Sequence, residues 1–197
     1  MGKAEDTKQA IIEQAAALFN KKGYAATSIP NITEAKGLTK GSFYGNFNNK
    51  EEIELAAFDY NIKLMNITMR NEIVKRDNAI DKLLVFEEFY FDGMKYHRLP
   101  AGCAILNTAV EADDTHPKLN ERVIAALENW KNSIISIIEK GKKYGQINPE
   151  VNAKEYAILF IAMIEGGVML AKTYIRLEPM HKVMKHYRRI IMEELKK

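Results

Sequence analysis

The chain contains 197 residues, of which 47% are hydrophobic and 28% are charged. This composition is typical of a soluble globular protein that can form a core without disulfides. The single cysteine, Cys103, excludes an intramolecular disulfide and suits a reducing cytoplasm. The N-terminus is polar, and the longest uninterrupted apolar run, residues 156–164, is too short to cross a bilayer. We therefore expect a cytoplasmic protein without a membrane segment.

The excess of positive charge is confined to the first quarter of the chain. The net charge is +3, and residues 1–50 contain seven lysines and no arginine against four acidic residues. Residues 51–197 contain 22 basic and 22 acidic residues and are neutral. A local basic region is expected of a surface that binds phosphates. An architectural protein that coats DNA without sequence preference is disfavoured, because such proteins carry far more Lys and Arg.

Apolar residues recur at helical spacing along most of the chain, whereas strand patterns are scarce. In the first segment, Ile11, Ala15 and Leu18 share one face between a capping Thr7 and a terminating Gly23. The pattern predicts an all-α protein of about nine helices. After the first helix, the predicted helices span about 29–35, 39–44, 50–76, 79–95, 102–111, 118–142, 153–176 and 180–196.

Two short helices joined by a glycine-containing turn follow the first helix. They cover about 28–35 and 39–44, with Lys36-Gly37-Leu38 between them. This arrangement is typical of a helix-turn-helix motif, whose second helix enters the DNA major groove N-terminus first. Free N–H groups at that end attract phosphate, and short side chains there can approach base edges. The small or cationic residues at that end are Thr39, Lys40, Gly41 and Ser42.

Several short segments around these helices form a specific pattern: Lys22-Gly23-Tyr24, Thr27-Ser28-Ile29, Lys40-Gly41-Ser42-Phe43-Tyr44, Phe47 and Lys50-Glu51. With these segments, residues 7–53 resemble the N-terminal domain of the TetR family of bacterial regulators. The resemblance implies a three-helix DNA-binding domain in residues 1–50. It also implies a larger helical domain in residues 51–197 that binds a ligand and forms a dimer.

The resemblance also assigns roles to individual residues. Thr27 and Ser28 would hold a phosphate at the start of the second helix, and Lys40 and Ser42 would face bases or the backbone. Tyr44 would bind a phosphate through its hydroxyl, and Lys50 would bind another. For three residues an alternative stays open. Tyr44 could be a core aromatic, Thr39 could serve only as a helix cap, and Lys36 could be a solvated lysine. The complete predicted DNA-binding set is Thr27, Ser28, Lys36, Thr39, Lys40, Gly41, Ser42, Tyr44 and Lys50.

The segment 153–176 is apolar on several sides, so that it must be buried against more than one neighbour. Gly166-Gly167 would allow another helix to come close. The family resemblance implies that the last two helices form a four-helix bundle with a second copy of the chain. Such a symmetric dimer would place two recognition helices about 34 Å apart, one turn of DNA.

Candidate ligand-binding residues lie on predicted apolar faces of the larger domain. Methionine and aromatic side chains suit a pocket for an apolar or amphipathic small molecule, although the same pattern is typical of an ordinary core. The tentative set is Met65, Met69, Phe86, Phe89, Tyr90, Cys103, Trp130 and Met163. Cys103 follows Gly102 at a predicted helix start, which would favour thiol reactivity, and some relatives sense electrophiles or oxidants with a similar Gly-Cys pair. The alternative is a small buried core residue.

The remaining chemistry-bearing residues do not form a catalytic or metal-binding pattern. The phosphate-loop, nucleophile-elbow and HExxH patterns do not occur, and His181 and His186 lie on different faces of their helix. We expect neither an enzyme nor a cofactor or metal site. A helical carrier or enzyme with a vestigial helix-turn-helix is the rival hypothesis. It is disfavoured, because no paired carboxylates or activated nucleophile can be singled out.

The sequence therefore predicts a ligand-responsive transcriptional regulator. The favoured form is a repressor that binds a palindromic operator as a dimer and is released by a small-molecule inducer. Activation instead of repression stays open at this point.

Overall fold

The structure, a computed structural model, describes residues 3–34, 37, 39–95 and 101–197. Within these ranges the chain forms nine α-helices, and an isolated bridge between Ile147 and Lys196 is the sole β interaction. The all-α prediction of about nine helices is confirmed. The helices are α1 (Lys3–Lys22), α2 (Ile29–Glu34), α3 (Lys40–Tyr44), α4 (Lys50–Ile73), α5 (Ala79–Lys95), α6 (Ala104–Ala112), α7 (Pro117–Lys143), α8 (Ala153–Tyr174) and α9 (Glu178–Ile190), which runs into a π-helical turn at Ile191–Leu195.

Several helix ends differ from the predicted ranges because local capping decides them. Helix α6 begins at Ala104 instead of 102, since Gly102 has a left-handed φ of +82° and Cys103 is extended. Helix α4 ends at Ile73, before the predicted residue 76, and the following turn leads to Asn78. The Asn78 side chain caps α5 by accepting a hydrogen bond from the Asp81 N–H at 2.9 Å.

The chain divides into two compact units. The first unit comprises residues 1–65 and 103–126, and the second comprises residues 66–102 and 127–197, so that α4 and α7 contribute to both. In the first unit, α1, α2 and α3 pack on one another and α6 packs on α1. Its aromatic core includes Phe19 stacked on Tyr24 at 4.7 Å and Phe43 beside Phe47 at 5.5 Å. These buried rings contribute to the core on which the three N-terminal helices pack.

The second unit has α5, α8 and α9 as its main packed helices. Phe160 contacts Tyr187 with ring centroids 4.5 Å apart, and the Tyr187 hydroxyl donates a hydrogen bond to the Leu83 carbonyl at 3.0 Å. A Cβ atom at Gly167 would lie 2.6 Å from the Met180 sulfur. Gly167 therefore allows α9 of the same chain to approach α8, whereas Gly166 has open space around it.

Helix α8 is long and apolar enough, by length and composition, to cross a membrane. Its most apolar window has a mean hydropathy of 1.5, and 39% of that window is buried within the chain. The uninterrupted apolar run, residues 156–164, ends at Glu165, but the helix continues through Glu165 and the two glycines to Tyr174. The length of the run therefore underestimated the length of the apolar helix. A core helix of a globular protein meets the same criteria, and α8 packs against α9.

Candidate nucleic-acid interface

Helix α3 is a short helix with one buried and one exposed side. Thr39 caps its N-terminus in an extended conformation, and its hydroxyl oxygen accepts a hydrogen bond from the Ser42 N–H at 3.1 Å. Phe43 is completely buried and anchors the helix, whereas Lys40 and Gly41 are exposed. The leading end of α3 is thus available to a partner. Because Thr39 makes the capping bond and is also exposed, its two suggested roles are compatible.

The exposed side of α3 ends at Tyr44, whose side chain is 60% exposed. Its ring packs edge-on against Phe43 at 5.3 Å, which fixes the direction of the hydroxyl without burying it. A Cβ atom at Gly41 would meet only the Thr39 hydroxyl oxygen, at an ordinary 3.6 Å. The fold of the chain itself therefore does not require a glycine at position 41.

The turn between α2 and α3 contains Gly37, which has a left-handed φ of +64°. Glycine adopts this conformation without steric cost, as the turn of a helix-turn-helix requires. The predicted DNA contact at Lys36 lies outside the residues that the structure describes.

Helix α2 begins with a reciprocal capping arrangement. The Ser28 hydroxyl donates to the Asn31 side-chain oxygen at 2.9 Å, and that oxygen also accepts from the Ser28 N–H at 3.0 Å. Ser28 is exposed. Thr27 is different, because it is fully buried and its hydroxyl donates to the Gly23 carbonyl at 2.7 Å. The phosphate contact by Thr27 remains a prediction, and in this structure its hydroxyl fixes the turn before α2.

An open groove with a volume of about 340 Å³ lies between the starts of α2, α3 and α4. It combines two lysines with hydroxyl groups, which are suitable donors for a phosphate oxygen. Five predicted DNA-binding residues line it, although they are distant in sequence. The lining residues are Ala25, Thr27, Ser28, Ile29, Pro30, Lys40, Tyr44 and Lys50.

Lys50 is held in place by groups on both sides. Its ammonium donates to the Tyr24 carbonyl at 2.5 Å and lies 3.2 Å from Glu54 Oε1. It also lies 5.9 Å from the centre of the Phe19 ring. Lys50 therefore reaches the groove with its charge already facing a carboxylate one turn further along α4.

Helix α6 fastens the turn that leads from α1 to α2. The Glu111 carboxylate accepts hydrogen bonds from the backbone N–H groups of Tyr24 at 2.8 Å and Ala25 at 2.7 Å. The Tyr24 hydroxyl, whose pKa is raised by burial, hydrogen-bonds Thr108 at 3.2 Å. A Cβ atom at Gly23 would lie 2.9 Å from the same carboxylate. Sequence analysis missed Glu111 and Thr108, because only the fold brings them to this turn.

A further residue of the same helix, Asn107, contacts the end of α1. The Asn107 amide donates to the Asn20 side-chain oxygen at 2.7 Å and to its carbonyl at 3.1 Å. Together with Glu111 and Thr108, this residue makes α6 a support of the DNA-binding helices within the first unit.

The tentative ligand-binding residues are distributed over both units. Trp130 stacks on Tyr90 at 5.4 Å and lies nearly parallel to Phe86 at 6.5 Å, and Phe89 meets Tyr90 edge-on. Met69 is buried and Met163 is half-buried in the second unit, whereas Met65 and the buried Cys103 belong to the first unit. The structure therefore brings Phe86, Phe89, Tyr90 and Trp130 together. Among the described residues, no cluster of His, Cys, Asp or Glu could hold a metal ion.

Comparison with known proteins assigns both parts of this architecture to one family. Residues 11–57 match the family model "Bacterial regulatory proteins, tetR family", and residues 79–187 match the model "Tetracyclin repressor-like, C-terminal domain". The chain belongs to the TetR family. The predicted family is thereby confirmed.

Full-length TetR-family structures have the same fold as this chain. A TetR regulator from Chloroflexus aurantiacus J-10-FL has a TM-score of 0.94 and 37% identity, and covers 100% of this chain and 99% of its own. A TetR-family regulator from Cytophaga hutchinsonii has a TM-score of 0.93 and 34% identity, with 100% and 98% covered. The transcriptional regulator AcuR of Cereibacter sphaeroides is 24% identical over 185 residues, which cover 92% of this chain and 83% of AcuR.

Membership of the TetR family defines the general activity of the chain. It is a transcriptional regulator with a helix-turn-helix DNA-binding domain and a ligand-binding domain. Because the TetR family consists of regulators without catalytic activity, the prediction that the chain is not an enzyme is confirmed by its relatives.

Proposed function

We propose that this TetR-family chain is a repressor that binds a palindromic operator as a homodimer and is released by a small-molecule inducer. The observation that carries the proposal is the groove lined by Ser28, Lys40, Tyr44 and Lys50, which lies beside the exposed N-terminus of α3. Lysine and hydroxyl donors around one groove suit a DNA phosphate, and α3 would then enter the adjacent major groove.

Within this proposal, residues 1–50 form the DNA-binding domain. Thr39, Lys40, Gly41 and Ser42 approach base edges, and Ser28, Tyr44 and Lys50 contact phosphates. Lys36, which precedes Gly37 in the sequence, would also contact the DNA. The protein would act in the cytoplasm, where operator DNA is accessible.

A homodimer through α8 and α9 is supported by an apolar surface on α8. Ile158 is 61% exposed and Met169 is 50% exposed, although both belong to a helix of high hydropathy. Large apolar side chains on one helix face are typical of a protein interface. A two-fold dimer would present two copies of α3 to the two halves of a palindrome.

The larger domain, residues 51–197 in the proposed division, would bind an amphipathic inducer. The Trp130 Nε1–H is buried, and no residue that the structure describes accepts a hydrogen bond from it. A buried donor without a partner would be satisfied by a ligand with an acceptor atom. The inducer would act by favouring one position of α4, which contributes to both units, so that the populations of DNA-binding and released states shift.

The test is fluorescence anisotropy with the full chain and a labelled duplex taken from the DNA that flanks its own gene. The proposal predicts that this duplex binds much more tightly than a scrambled duplex of the same length. Lys50→Ala, which removes a lysine that the proposal places on a phosphate, should reduce the slope of log affinity against log salt by roughly one. Lys63→Ala, which removes an exposed lysine further along α4, is the control and should leave the slope unchanged. Equal affinity for flanking and scrambled DNA would contradict the proposal.

A further inference from the structure

A compact charge cluster lies next to the groove that would hold a phosphate. Glu54 is at its centre, and its side chain is only 9% exposed. Its Oε1 atom lies 3.2 Å from the Lys50 ammonium, and its Oε2 atom lies 3.2 Å from His116 Nε2. One buried carboxylate therefore serves two basic groups, one of which lines the groove.

The hydrogen bonds of His116 indicate which ring nitrogen carries the proton when the imidazole is neutral. His116 precedes Pro117, the first residue of α7, and its Nδ1 atom accepts a hydrogen bond from the Leu119 N–H at 3.2 Å. A ring nitrogen that accepts is unprotonated, so the proton of the neutral imidazole is on Nε2 and points to Glu54. Adding a second proton would disrupt the bond to Leu119 and place a full positive charge beside Glu54.

The other charged groups around the cluster already have partners. Glu51 pairs with Lys118 at 2.7 Å, and its pKa is lowered first by the hydrogen bond from Lys118 and then by the charges of Lys118 and His116. On α6, the Glu111 carboxylate accepts from Tyr24 and Ala25.

Further from the cluster, Asp59 pairs with Arg122 at 3.2 Å, and Asp113, in the exposed segment before α7, accepts from the Asp114 N–H. Glu54 is thus the carboxylate that Lys50 and His116 share.

We propose that Glu54 and His116 control the charge that Lys50 presents to DNA. While His116 is neutral, the single negative charge of Glu54 balances the Lys50 ammonium. When His116 is protonated, it competes with Lys50 for the Glu54 carboxylate, so that the Lys50 ammonium is released from Glu54 to a phosphate in the groove. DNA then binds more tightly when His116 is protonated than when it is neutral. The inference rests on the proposed function, because Lys50 must contact a phosphate.

The first test measures the dissociation constant of the full chain for the flanking duplex at about pH 6 and about pH 8, at constant ionic strength. The wild type should bind roughly three- to fivefold more tightly at the lower pH, the size of effect expected from a partly exposed charge pair. His116→Gln, whose amide can donate to Glu54 without titrating, should lose most of this difference. His181→Gln, a change of an exposed histidine on α9, should keep it. A pH dependence in His116→Gln equal to that of the wild type overturns the inference.

The second test asks whether the effect passes through Lys50. Glu54→Gln should tighten binding at the higher pH by roughly two- to fivefold and remove the pH dependence. In a Lys50→Ala background, Glu54→Gln should leave the affinity nearly unchanged, because no ammonium remains to be released. An equal change in both backgrounds contradicts the inference.

The preference of the wild type for the flanking over the scrambled duplex is measured in parallel and tests the proposed function separately. Thermal midpoints show which variants are folded.

Discussion

The carboxylate of Glu111 accepts a hydrogen bond from the backbone N–H of Tyr24 at 2.8 Å, which ties α6 to the turn that precedes the helix-turn-helix. The same carboxylate bonds Ala25, and Gly23 leaves room for it. Two backbone donors that lack helical partners are thereby satisfied by one charged side chain. The position of the DNA-binding helices in the first unit thus depends on a residue far from them in sequence.

We expect Glu111→Ala to lower the free energy of unfolding by about 1–2 kcal/mol, because two charge-assisted hydrogen bonds are lost while water can replace part of them. Chemical denaturation of the full chain measures this change. Glu121→Ala, which removes an exposed glutamate from α7, is the matched control and should change stability by less than about 0.5 kcal/mol. Similar values for the two variants would mean that the two hydrogen bonds accepted by Glu111 contribute little to the stability of the fold.

Gly41→Ala separates DNA contact from folding. Since the added Cβ would meet only Thr39 Oγ1 at 3.6 Å, the free protein has space for it. An alanine in a helix is favoured over glycine, so stability should stay the same or rise by about 0.5–1 kcal/mol. Affinity for the flanking duplex should nevertheless fall, because the backbone of α3 can no longer come as close to DNA. Anisotropy and thermal denaturation together test this, and unchanged affinity would place Gly41 away from the DNA.

Tyr44→Phe removes one exposed hydroxyl and keeps the ring that packs on Phe43. We expect operator binding to weaken by about 0.5–1.5 kcal/mol, the usual contribution of one hydrogen bond, with an unchanged thermal midpoint. Tyr144→Phe is the control, because Tyr144 is 70% exposed in the turn after α7 and belongs to the second unit. A lower thermal midpoint for Tyr44→Phe would show that the hydroxyl supports the fold instead of contacting DNA.

Ile158→Glu tests the dimer surface on α8. A charged side chain at the centre of an apolar interface is strongly unfavourable when it has no partner. We expect the variant to sediment as a monomer and to lose affinity for a palindromic duplex. Val110→Glu, at a site on α6 that is 72% exposed, should remain dimeric. If Ile158→Glu sediments as the wild type does, the interface lies elsewhere.

Local interactions explain why much of the architecture could be predicted from the sequence. Capping residues such as Thr39 and left-handed glycines such as Gly23 and Gly37 act over a few residues, so that they identify helix ends directly. The resemblance to the TetR family assigned DNA contacts to Lys40, Tyr44 and Lys50, and the structure places these residues around one groove. Their contacts with DNA remain a prediction.

The sequence by itself determined the helical periodicity, the turn chemistry and the basic first quarter, because each depends on neighbouring residues. Only the tertiary structure decided that Thr27 is buried, that Glu111 bonds a turn 86 residues away, and that Glu54 lies between Lys50 and His116. Such contacts depend on how helices pack. Packing satisfies buried polar groups with partners that have no regular spacing along the chain.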